Sequence, residues 1–209
     1  MRNKTLSLIL VLFAIHVNAQ TARDIFQPST PITWLGLDFT EARFIGDRER
    51  LGSHSDVLHL MEAINQLVIN EPTKYDVAAA IKRPKVEMAI NVTSNHNAQL
   101  DVSELLSDQS KDYQRLKPSD IQQIISDYNF EGVSGIGLMF NVEAFSKPDE
   151  SASIWVTFIN LDTKEVLWTQ RMLGKPGGFG LRNFWGRSVY SIINDIKKKE
   201  FEVWRKRNS

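Results

Sequence analysis

Between residues 134 and 172 the sequence passes through three apolar segments divided by turns too short to hold another element. "SGIGLMFNVEAF" sets Ile136, Leu138, Phe140 and Val142 on one face. After "KPDES", the segment "ASIWVTFINL" sets Ile154, Val156 and Phe158 opposite Trp155, Thr157 and Ile159. "DTKE" then leads into "EVLWTQRML". Side chains alternate across a strand, so period-two hydrophobicity marks strands. Turns this short join antiparallel neighbours. A C-terminal three-strand meander is therefore the frame into which the rest must fit.

A helix comes after the meander. Leu181, Phe184, Trp185, Val189, Ile192, Ile193 and Ile196 recur at a spacing near 3.6 and make one apolar stripe. Upstream, "ITWLGLDFT" alternates, with Leu35, Leu37 and Phe39 on one face and Trp34, Gly36 and Asp38 on the other. "SDVLHLMEAINQLVIN" has helical spacing through Val57, Leu60, Met61, Ile64, Leu67 and Val68, with Ser53 or Ser55 as cap. "KYDVAAAI" is a short second helix that stops before Pro84. "VEMAINVT" alternates again and is expected as a strand, followed by a polar turn, "SNHNAQLD". Residues 102–117 fit a short helix or an irregular excursion. "PSDIQQIISDY" is a helix with Ser119 as cap and Gln122 completing a capping box. The expected fold class is α+β: a two-layer sandwich with helices on one side of a mixed, mostly antiparallel sheet, the three-strand meander, and a long closing helix.

The opening residues, "MRNKTLSLILVLFAIHVNAQ", put Arg2 and Lys4 before an apolar run over residues 5–17. Val17 and Ala19 then supply small side chains at positions −3 and −1 of a cleavage point before Gln20. The run is short for a bilayer span and fits a secretory signal over residues 1–19. Residues 20–31, "QTARDIFQPSTP", are expected as an extended lead-in, and residues 32–209 as a single domain. The chain has no cysteine, which excludes lipoprotein acylation, disulfides and thiolate chemistry. The expected location is the periplasm or the outer-membrane surface, and the expected product is not a lipoprotein. Formal net charge is zero, and loss of Arg2 and Lys4 leaves it about two units negative. That balance argues against bulk nucleic-acid binding, which needs a basic footprint.

Glycine-rich "GKPGGFG", residues 174–180, joins the last strand to the last helix. Strand, glycine loop and helix is the layout of a phosphate cradle. Lys175, Gly178, Gly180 and Arg182 are its candidate anion-binding residues, and Arg187 could add further charge. Against this, Leu181 stands where a P-loop has lysine with serine or threonine, and Pro176 removes an N–H. The favoured reading is a chain reversal made feasible by glycine. Asp38, Glu41, Asp47 and Glu49 crowd the loop after the first strand, but Arg43, Arg48 and Arg50 are interleaved, as in a solvated, ion-paired loop. His54, His59 and His96 have no metal-ligand spacing, so no metal site and no cofactor are expected. The basic tail "KKKEFEVWRKRNS" brackets Phe201 and Trp204. It fits contact with an anionic membrane surface, or cations that complement a helix C-terminus.

The pair "DIQQIISDYNFEGVSGIGLMFNVEAF" and "ASIWVTFINLDTKEVLWTQRM" resembles a group of bacterial envelope domains. The group includes the curli secretion channel subunit, the amino-terminal domain of TolB and the periplasmic activators of penicillin-binding proteins. Such domains often carry a "D-x-x-T-G-E-V-L-W" hairpin before a closing helix. Here Asp162, Thr163, Lys164, Glu165, Val166, Leu167 and Trp168 follow that pattern without its glycine. The resemblance implies a largely non-catalytic envelope domain. The expected partner is an envelope protein or cell-wall component, met through Trp34, Trp168, Gly177, Gly178 and Phe179. Two alternatives stay open: a hydrolase using the carboxylates after the first strand, and an anion- or nucleotide-binding module using residues 174–180.

Overall fold

The computed structural model describes residues 20–46 and 48–208. The expected signal over residues 1–19 and the candidate carboxylate Asp47 lie outside the described residues. The strands are β1 (Ile32–Asp38), β2 (Arg43–Ile45), β3 (Glu87–Met88), β4 (Leu106–Ser107), β5 (Ile136–Ser146), β6 (Ser151–Asn160) and β7 (Glu165–Gly174). The α-helices are α1 (Arg48–Leu51), α2 (His54–Asn65), α3 (Leu67–Asn70), α4 (Val77–Ala80), α5 (Asn91–Asn97), α6 (Val102–Leu105), α7 (Pro118–Asp127), α8 (Leu181–Asp195) and α9 (Phe201–Arg207). A π-helical turn, Ile196–Glu200, joins α8 to α9.

The strands form one curled, seven-stranded sheet, open like a half-barrel. This overturns the expected mostly antiparallel two-layer sandwich. β1 and β2 lie end to end along one edge of β5, both parallel to it. β3 and β4 extend them outward, again in parallel. Antiparallel pairing is confined to β5–β6 and β6–β7 among the described residues. The reason is connection length. Short turns dictate direction only between neighbours in sequence, whereas the long helical excursion between β1 and β5 returns the chain for parallel alignment. Helices also cover both faces of the sheet, so β5 is buried along its whole length.

The first face carries Ile136, Leu138, Phe140, Val142, Ile154, Val156 and Phe158, packed by α2, α8 and α9 through Val57, Met61, Ile64, Trp185, Val189, Ile192 and Trp204. Trp185 stacks on Phe145 at 4.8 Å between ring centroids. The second face carries Met139, Trp155 and Ile159, packed by α7 through Ile121, Ile124 and Ile125, and by Tyr128 and Phe130. Asp120 accepts the Lys117 N–H at 2.7 Å and closes the first turn of α7, where Ser119 was the expected cap. Gln122 instead reaches the β6–β7 turn, donating to the Lys164 carbonyl and accepting from the Val166 N–H.

The expected strand over residues 86–93 shrinks to Glu87–Met88, and the chain turns helical from Asn91. Thr93 and Asn97, one helical turn apart, meet the edge of β1. The Thr93 hydroxyl donates to the Leu35 carbonyl at 2.7 Å, and Asn97 donates to the Leu37 carbonyl and accepts from the Phe39 N–H. From α2, Asn65 accepts the Leu37 N–H at 2.9 Å. Three side chains thus stand in for a neighbouring strand and satisfy buried backbone that would otherwise lack partners. Gly36 makes this close approach feasible. A Cβ there would lie 2.4 Å from Thr93 Oγ1, and its φ of +99° suits glycine. The same residue marks a register shift against β5, so Trp34 and Leu37 face one core and Leu35 the other.

Residues 20–31 are bound into the fold. Ile25 and Phe26 are buried, and buried Arg83 donates to the carbonyls of Ile25, Thr30 and Ile81.

Candidate functional site at the glycine-rich turn

β7 ends at Gly174, whose absent side chain lets the Ser188 carbonyl approach: a Cβ would lie 2.4 Å from it. The chain then reverses through residues 175–180 so that α8 packs back on β7. The Gly177 N–H donates to the Phe184 carbonyl, tying the turn to the helix it starts. Gly178 and Gly180 have φ of +100° and +79°, a conformation other residues avoid, and Phe179 between them points outward. Phe179 is 95% exposed.

Beside this tip lies a groove of about 460 Å³ lined by Lys74, Lys175, Pro176, Gly177, Gly178, Asn183, Arg187 and Ser191. Among the described residues the lining contains three cations and no carboxylate, and one of the cations, Lys74, pairs with Glu71 at 3.3 Å. Among the described residues neither Lys175 nor Arg187 pairs with an acid. The Arg187 guanidinium rests over the Tyr190 ring at 4.9 Å. Burial works against the Lys74 ammonium, but the Tyr75 and Glu71 oxygens outweigh it and hold Lys74 above the usual lysine range. Lys74 is therefore charged at neutral pH. A space with this lining suits an anionic group.

The structure sorts the residues singled out from sequence. Lys175, Gly177 and Gly178 line the groove, and Phe179 and Gly180 form its exposed lip. Arg182 turns away and pairs with Glu71 at 3.2 Å. Trp34 is fully buried, in edge contact with Phe140, and offers no surface. Trp168 is half-buried against Trp204, with ring centroids 4.3 Å apart. In the basic tail, Phe201 and Trp204 are both buried, so its apolar stripe faces the sheet. Arg187, named from sequence with Lys175 and Arg182 as charge for the loop, does line the groove, one turn after Asn183 on α8. Sequence reasoning missed Lys74 as a groove residue. Lys74 comes from a distant loop and leaves no local signal.

Of the described carboxylates in this region, Asp38 and Glu41 are held by structural partners. Asp38 is buried, accepts from Thr40 N and Oγ1, and receives the Asn141 amide at 2.9 Å. The Thr157 hydroxyl donates to Asn141 and meets the Thr169 hydroxyl at 2.9 Å. His96 Nε2 lies 2.9 Å from Thr40 Oγ1, and its ring packs on Tyr128 at 4.4 Å. With the Thr40 proton directed to Asp38, His96 Nε2 must donate. A catalytic histidine would have to accept from the hydroxyl, so this order does not activate a nucleophile. Burial, then the nearby Asp38 charge, push the Tyr128 phenol far above its ordinary range. Glu41 pairs with Arg115 at 2.9 Å, and Glu49 is exposed on α1.

A second buried knot centres on Glu143, at a bulge in β5. Its carboxylate pairs with the Arg171 Nε and Nη2 at 2.7 and 3.0 Å and accepts from the Ser153 hydroxyl and the Leu116 N–H. Arg171 also donates to the Leu116 carbonyl and lies over the Trp155 ring.

Among the described residues no cluster of histidine, aspartate and glutamate could hold a metal ion, and no helix is long and apolar enough to cross a membrane. No known family model matches the chain, and no curated protein does either.

Proposed function

We propose that this chain is an exported, non-catalytic domain that binds another component of the cell envelope through the turn at residues 175–180 and the adjoining face of α8. The observation that carries this reading is Phe179, 95% exposed on a turn whose glycines hold it outward. Exposing a phenylalanine forgoes roughly 1.5–3 kcal/mol of burial, so a contact that covers it has a driving force ready. Isolated exposed apolar residues are common, but this one borders a concave, cationic groove. The polar groups elsewhere support the same reading, because Asp38 and Glu143 are sealed inside and committed to structural partners.

The test is retention of the chain on a washed bacterial envelope fraction, membranes and wall together, with Phe179→Ser as the comparison. The chain should sediment with the fraction and the variant should stay in solution. Equal behaviour of the two would rule out this surface.

A further inference from the structure

We infer that the envelope component met by this turn is an anionic phospholipid surface: Phe179 inserts among the lipid chains while Lys74, Lys175 and Arg187 hold headgroup phosphates. This rests on the proposed function and names the partner.

Three observations combine. First, the groove presents Lys74, Lys175 and Arg187 with no acid in its lining among the described residues; Lys74 pairs with Glu71 behind the lining at 3.3 Å, while Lys175 and Arg187 keep their charge for a ligand. Charge has been sorted toward this spot. A phosphate diester carries one negative charge and acceptor oxygens suited to such donors. Second, the apolar tip lies outside the groove. A small soluble anion held in the groove would leave Phe179 in water, whereas a bilayer offers phosphate and hydrocarbon side by side. Third, the turn can present its tip without unfolding. Gly180 has open space where a Cβ would be, and a Cβ at Gly177 would meet only the Arg187 stem at 3.5 Å. The turn is therefore uncrowded at both glycines.

The basic tail is the rival membrane contact, and its geometry is unlike that of the turn. Phe201 and Trp204 are committed to the core, leaving that segment charge without an insertion residue. One inserted aromatic with a few cations gives weak, reversible, salt-sensitive attachment.

The experiment is co-sedimentation of the chain starting at Gln20, which contains both cores entire, with phosphatidylcholine vesicles with and without phosphatidylglycerol. Binding should require phosphatidylglycerol and weaken with added salt. Phe179→Ser should lower the partition by about tenfold, and Lys175→Gln or Arg187→Gln by about fivefold each. Phe179→Trp should keep binding, which separates loss of insertion from loss of folding. Absence of vesicle binding would overturn the inference, as would binding unaffected by Phe179→Ser. So would competition by free inorganic phosphate as strong as by vesicles, which would mark a soluble-anion site. If the envelope fraction retains the chain through Phe179 while vesicles do not, the proposed function survives and a protein or wall partner replaces the lipid.

Discussion

The two faces of the sheet are built on different principles. The face under α2, α8 and α9 is mainly hydrocarbon, with Phe140, Val156, Phe158, Trp185 and Trp204 in one continuous core, and the indole N–H groups of Trp34, Trp185 and Trp204 are buried in it without a partner among the described residues. The face under α5 and α7 has a smaller apolar cluster, interrupted by Asp38, Asn141, Glu143, Ser153 and Thr157, all buried. The first face gains from area removed from water and tolerates any residue of suitable shape. The second depends on each polar group finding its partner, because an unpaired one is costly in a low-dielectric interior. The polar residues concentrate where β1 leaves β5, between Asp38 and Arg43, and where β5 bulges near Glu143. Their hydrogen bonds run to one another and to the backbone N–H groups of Thr40 and Leu116 beside the sheet, so these groups are satisfied within the two knots.

The contrast can be broken most forcefully at Glu143. Glu143→Leu strands Arg171 and frees the Leu116 N–H, and should cost about 3–5 kcal/mol in urea unfolding. The double variant Glu143→Leu with Arg171→Met should recover the part of that loss due to the stranded guanidinium, since an apolar pair can replace a buried ion pair, and leave the part due to the unpaired Leu116 backbone. No recovery would mean that the knot does more than fill space. Gly36→Ala should be somewhat milder, at about 2–3 kcal/mol. It forces a positive φ on a residue with a Cβ and pushes that atom into Thr93 and Asn65. An unchanged unfolding midpoint would show that those side chains do not brace β1.

Tyr128→Phe should give the smallest change at neutral pH, within about 1 kcal/mol, because the phenol oxygen makes no well-formed hydrogen bond among the described residues. Its signature is the pH dependence. The folded chain holds this phenol above its unfolded value near 10.0. The stability tied to the neutral phenol is full below that value and declines as pH rises beyond it, since the unfolded chain releases the proton first. The variant should therefore lose stability less steeply above about pH 10 in urea titrations, and identical slopes would show that Tyr128 has no part in the alkaline limb.

Where local pattern decides structure, the sequence was legible. The alternation of β5, β6 and β7 and their short turns are visible residue by residue, as is the stripe of α8. The capping box at Ser53 and Asp56 also follows from local spacing. The stretch from Val86 to Thr93 misled, because Ile90 and Val92 fit a strand as well as they fit two sides of a short helix. The sign that favours helix is Thr93 with Asn97 one turn later, but it has meaning only beside an unpaired edge of β1. For the candidate site, the glycines and Phe179 were evident, whereas the apparent alternation through Trp34 failed at the Gly36 shift.

By itself, the sequence determined where the three strands of the meander and the long helix form, that no cysteine chemistry operates, and that residues 174–180 turn the chain. These follow from short-range sterics and periodicity, which each segment carries within it. Only the tertiary structure decided that β1 and β2 run parallel with β5, that helices cover both faces, and that Lys74 joins Lys175 and Arg187 around one groove. Those outcomes depend on contacts between segments far apart in the chain, where burying apolar area and pairing buried polar groups select the arrangement and no local pattern records the choice.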